Sequence, residues 1–115
     1  MIKFKVKLWV SENLLIKITC FPFSEQTAKN ACLEELKNTR RIPNGVQETF
    51  ISEIISIKKE TDKNYTVGVI IKYAYVTTVF QKDESSLKDY VLTEFLDKNR
   101  GKMVSIGTME VLKKE

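Results

Sequence analysis

The sequence predicts an α+β domain, a two-layer sandwich with two helices on one face of an antiparallel sheet. Three observations predict it. Strand-like runs with apolar residues at alternate positions flank two stretches with apolar residues four apart, Ala28-Cys32-Leu36 and Leu87-Val91-Phe95. The two halves, about 1–60 and 65–115, repeat a comparable order and end alike, in Ile57-Lys58-Lys59-Glu60 and Leu112-Lys113-Lys114-Glu115. Neither half can bury its own apolar face, so the two must share one core; 115 residues make one domain.

Ile2–Val10 alternates, with Ile2, Phe4, Val6, Leu8 and Val10 facing one way and Lys3, Lys5, Lys7 and Trp9 the other. Ser11-Glu12-Asn13 reads as a turn and Leu14–Phe21 as a second strand, making an antiparallel hairpin. Pro22 closes it, because proline cannot donate to a ladder. Ser24 is placed to cap a helix over about Glu25–Asn38, and Glu25 suits the positive end of its dipole. Arg40–Val46 is irregular, broken by Pro43 and by Asn44-Gly45. Gln47–Lys59 carries apolar residues on both faces, which predicts a central strand. Thr61-Asp62-Lys63-Asn64 is a hairpin loop. Tyr65–Phe80 is β-prone but long; it is either one strand bent at a bulge near Lys72–Tyr73 or a hairpin. Asp83 or Ser85 can cap the second helix, and Gly101 suits its end. Met103–Leu112 is the last strand, with a bulge expected at Gly107.

The resulting order is β-β-α-β-β-α-β. Without its first strand it resembles the split βαβ order of ferredoxin-like folds; a tandem ββαβ pseudo-repeat gives the same two layers. The expected core includes Phe4, Val6, Leu8, Ile16, Ile18, Leu36, Ile55, Val91 and Phe95.

The net charge is +4, and only Arg40, Arg41 and Arg100 are arginines. Phosphate-gripping proteins recruit arginine for its bidentate fork, so this lysine-borne charge is weak evidence for a polyanion partner. The richness in Lys, Ile, Asn and Glu points instead to an AT-rich genome, bacterial, plasmid or phage. No run approaches ~18 apolar residues, so no membrane span is expected. Met1-Ile2-Lys3-Phe4-Lys5 lacks the apolar stretch of a signal peptide, so the expected location is the cytoplasm.

The chain contains no histidine, the commonest general base and metal ligand near neutral pH. No GxGxxG, GxxxxGK[ST] or GxSxG spacing occurs. Catalytic, cofactor-binding and metal-binding residues are therefore all expected to be none. Cys20 in a strand and Cys32 on a helix are expected as buried reduced thiols.

Two constellations remain. Lys3, Lys5, Lys7, Trp9 and Lys17 share one strand face, a row that is solvated in the bland reading and an anchor for a partner in the sharp one. Lys72-Tyr73-Ala74-Tyr75-Val76 resembles the third-strand signature of RNA-recognition motifs, without its glycine and its final aromatic. That resemblance implies base stacking on Tyr73 and Tyr75 beside Lys72. The leading expectation is a small non-enzymatic protein that binds another protein, for instance a host protein inhibited by a phage product. The alternative is a nucleic-acid-binding domain using the lysine face. A homodimer is left open.

Overall fold

A computed structural model describes residues 1–39 and 46–115; of the irregular stretch Arg40–Val46, only Val46 is among them. Six elements follow one another: β1 (Ile2–Ile18), α1 (Glu25–Asn38), β2 (Val46–Lys59), β3 (Tyr65–Gln81), α2 (Leu87–Lys98) and β4 (Val104–Lys114). The strands form one curled, antiparallel four-stranded sheet in the order β2-β3-β1-β4. Each half thus supplies a strand, a helix and a strand. The element order is the predicted one with its first two strands fused.

That fusion corrects the expected first hairpin. β1 runs unbroken through Ser11-Glu12-Asn13 and pairs residue for residue with β3, from Ile2 opposite Gln81 to Ile18 opposite Tyr65. The reason lies in parity. Even-numbered residues point inward throughout, and Glu12, only 3% exposed, simply occupies an inward position. Glu12 is a polar residue on the core face of a continuous strand and not part of a turn. None of these three residues takes a positive φ, as a tight two-residue hairpin turn requires. β3 is likewise one strand of 17 residues rather than a hairpin, and its pairing with β1 carries no bulge at Lys72–Tyr73. Its odd-numbered residues face inward, while Ile70, Ala74 and Val76 make the outer face apolar too and blur the pattern.

β2 lies at an edge, not at the centre. Its pairing with β3 shifts register three times, between Gln47 and Phe50, Ile51 and Glu53, and Ile54 and Ser56. Each shift resets which residues face inward, so apolar residues on both faces record bulges rather than burial. Ile55, expected in the core, is 55% exposed for this reason. The bulge expected at Gly107 is present, where the β1–β4 register jumps between Leu8 and Val10. A Cβ at Gly107 would stand 3.2 Å from the Trp9 carbonyl oxygen, so glycine lets the bulged backbone approach β1.

The helices form where local chemistry directs. Ser24 Oγ accepts from the Thr27 backbone N–H at 3.1 Å. Asp83 accepts from both the Ser85 N–H and hydroxyl, fixing the turn before α2 rather than capping it directly; Ser86 is the N-cap. Asn99 Nδ2 donates to the Phe95 carbonyl at 2.8 Å and closes α2. Gly101 follows with φ +82°, a conformation other residues rarely adopt.

Ala28, Cys32 and Leu36 of α1 and Leu87, Val91 and Phe95 of α2 are buried. Together with Phe4, Val6, Leu8, Ile16, Val67, Val69, Ile71 and Tyr73, most of them make a single cluster on the inner face of the sheet. Fully burying an aliphatic or aromatic side chain stabilises by roughly 1.5–3 kcal/mol, so this cluster holds the layers together. Cys20 falls beyond the end of β1 and is exposed, a correction to its expected burial; both cysteines are free thiols. Among the described residues no helix is long and apolar enough to cross a membrane.

Candidate binding face

Both helices pack on the inner face, so neither covers the outer face of β1 and β3. Alternation along β1 places Lys3, Lys5, Lys7, Trp9, Leu15 and Lys17 on it. Register places Thr78, Val76, Ala74, Lys72 and Ile70 beside them on β3, Phe50 of β2 opposite Lys72, and Lys113 of β4 opposite Lys5.

The predicted row is on one face but is not uniform. Lys3, Lys5 and Lys17 are exposed. The Lys7 side chain is only 18% exposed, with Nζ 2.5 Å from Glu48 Oε2 and 4.9 Å from the centre of the Trp9 ring. Glu48 belongs to β2, with β3 lying between it and β1, so this ion pair crosses a whole strand. Glu48 is also the only described non-glycine residue with positive φ, at 53°, and it sits in the first β2 bulge. The bulge turns its carboxylate toward Lys7. Trp9 is half-buried rather than projecting. It lies opposite Ala74, which is fully buried although it faces outward. Trp9 and Lys7 thus form a packed platform in the middle of the face.

Among the described residues, three large apolar side chains on this face are exposed, one of them Phe80 (56%), directly opposite Lys3. Leu15 is 68% exposed and Phe50 45% exposed, with Ile70 half-buried near them. Sequence reasoning missed Leu15 and Phe50. Leu15 shares the outward parity of Lys17, a signal present in the strand pattern itself; Phe50 was hidden by the bulges of β2.

At the other end of the face, Lys3, Lys5, Thr78, Lys113 and Glu115 line a cavity of about 280 Å³. Lys3 and Glu115 exchange backbone hydrogen bonds at 2.9 and 2.8 Å, which fixes Glu115 at the rim. Its carboxylate stands 2.6 Å from Lys113 and 3.6 Å from Lys3. Hydrogen bonding to Lys113, and then the charges of Lys113 and Lys3, hold the Glu115 carboxyl below its ordinary range; the same contact raises Lys113.

The tyrosines of the RNA-recognition resemblance face the wrong way for stacking. Tyr73 is fully buried on the inner face, its hydroxyl held far above the usual range by burial and then by the Glu12 carboxylate. The Tyr75 ring packs against Phe95, 5.2 Å between centres. Lys72 alone of that trio is exposed on the outer face. Among the described residues no cluster of three or more potential metal ligands occurs. Comparison with protein families, with curated proteins and with solved structures found no match.

Proposed function

We propose that this protein acts by binding, and that it docks an acidic protein surface on the outer face of its sheet. The observation that carries this reading is the composition of that face: exposed Leu15 and Phe50 set among the exposed lysines Lys3, Lys5, Lys17 and Lys72. Apolar anchors ringed by charge of one sign suit a protein partner of opposite sign, since buried aromatic groups carry affinity while rim charges steer approach. The strand order, with each helix crossing over one intervening strand, supports reading the scaffold as an elongated ferredoxin-like arrangement. The absence of histidine from the sequence favours binding over general acid–base chemistry.

Nucleic acid is the rival occupant, and it is disfavoured because the alternating tyrosines pack inward. Pull-downs from nuclease-treated host extract, comparing the native protein with Phe50→Ala and with a Lys3/Lys5/Lys17→Glu variant, test the reading. Capture of an acidic protein that both variants lose, with unchanged thermal midpoints, is expected. Capture that both variants retain, or that occurs only in a parallel extract left without nuclease, overturns it.

A further inference from the structure

We infer that the cavity between Lys3, Lys5, Thr78 and Lys113 is a binding site for a small dianionic phosphate group, guarded by the Glu115 carboxylate. The site is independent of protein docking, since a small anion can enter whether or not the face has a macromolecular partner.

The geometry begins with register. Lys5 of β1 lies directly opposite Thr78 of β3 on one side and Lys113 of β4 on the other. All three side chains line the same cavity, with Lys3 one outward step along β1. Two like charges directly opposite on one sheet face oppose folding unless something lies between them. Three ammonium groups therefore meet here with a hydroxyl and the Glu115 side-chain carboxylate. Glu115 engages Lys113 and Lys3; among the described residues no carboxylate pairs with Lys5. The excess of ammonium groups favours an anion. Lysine ammonium groups bind phosphate as point charges, and a threonine hydroxyl adds a donor. The cavity's 280 Å³ or so far exceeds the volume of one water molecule, about 30 Å³, which leaves room for a phosphate and a small substituent. Glu115 already places an anionic oxygen between two of the lysines, so an incoming phosphate competes with it for the same donors.

The competition gives the test an unusual sign. The probe is inorganic phosphate titrated into ¹⁵N-labelled protein, with sodium chloride adjusted to hold ionic strength constant and amide shifts followed by NMR. Parallel arms use sulfate and glycerol phosphate, which separate a free ion from a phosphate monoester. Saturable shifts at Lys3, Lys5, Thr78 and Lys113 are expected. Lys5→Ala and Lys113→Ala should each weaken binding about tenfold, the loss of one charge-assisted hydrogen bond. Glu115→Gln should tighten it, because the guarding charge is gone while the backbone pairing to Lys3 remains. A merely structural ion-pair cluster predicts no saturable binding in any variant. Absence of saturation, shifts reproduced by chloride alone, or weaker binding in Glu115→Gln would each overturn the site. Thermal midpoints of the three variants, read alongside, confirm that each titration reports a folded protein.

Discussion

Phe95 is 1% exposed, and its ring meets Tyr75 across the layer interface, so with Leu87 and Val91 it fastens α2 to the sheet. Phe95→Ala should cost about 3–5 kcal/mol, the lost transfer energy plus the cavity left behind. Its neighbour Leu96 is 47% exposed, and Leu96→Ala should stay within about 0.5 kcal/mol. Denaturant midpoints of the two variants measure the contrast; similar losses would mean that α2 is turned differently on the sheet. The cysteines make a second pair of opposites. Cys32 is fully buried, and burial, with a smaller contribution from Cys20, pushes its thiol up to about 11. Thiolate is the reactive form, so Cys32 should be inert in the folded protein, whereas exposed Cys20 should react. A thiol reagent should find one fast equivalent in native protein and two after unfolding without reductant. Two fast native equivalents would show that α1 opens readily, and none after unfolding would reveal a disulfide.

At the scale of elements, what could be read from the sequence was what local chemistry decides. Ser24 capped α1 as expected, the four-residue spacings located both helices, and Gly107 marked its bulge, because each signal acts within a few residues. The strand partners were not legible, because pairing joins residues far apart in sequence. Glu12 shows the difficulty: one inward carboxylate broke an alternation that the paired strand β3 enforces through 17 residues. Of the candidate site, the lysine row was legible from parity alone. The partners of that row were not, since Glu48, Lys113 and Glu115 reach it only through the sheet order. The β2 bulge yields a prediction of its own. At an ordinary strand position glycine is worse than alanine. At Glu48 the backbone has φ 53°, which costs a residue with a Cβ roughly 1–2 kcal/mol and glycine nothing. Both replacements lose the pair with Lys7, worth about 0–1 kcal/mol at this partly exposed site. Glu48→Gly should therefore be at least as stable as Glu48→Ala. Thermal melts of the two variants decide it; a clearly less stable glycine variant would mean that the bulge does not hold this backbone.

At the scale of the molecule, the 17-residue strands extend the domain to 58 Å along its longest axis, against 23 and 20 Å across. Helices of 14 and 12 residues cover the inner face only. The open face is therefore long, and basic and apolar groups alternate along it: Lys3, Lys5 and Lys113 with Phe80 at one end, the Lys7–Trp9 platform and then Phe50 opposite Lys72, and Leu15 next to Lys17 toward the other end. Because different side chains would carry them, the two rival occupants can be told apart. A polyanion held by lysines loses affinity steeply as salt rises, because each phosphate contact releases a counterion, and charge reversal of Lys3, Lys5 and Lys17 abolishes its binding. A protein partner seated on Phe50 and Leu15 loses most of its affinity on Phe50→Ala, while single lysine changes mainly slow its association. Trp9→Ala is the poorer probe, because Trp9 is half-buried against the sheet and its removal should lower stability as well. The expected outcome is the protein pattern: with the captured partner, Phe50→Ala should speed dissociation more than any single lysine change, and salt should act chiefly on the association rate. Surface-immobilised binding kinetics at two ionic strengths measure both. Tight, salt-sensitive gel shifts with oligonucleotides that Phe50→Ala leaves untouched would instead assign the face to nucleic acid.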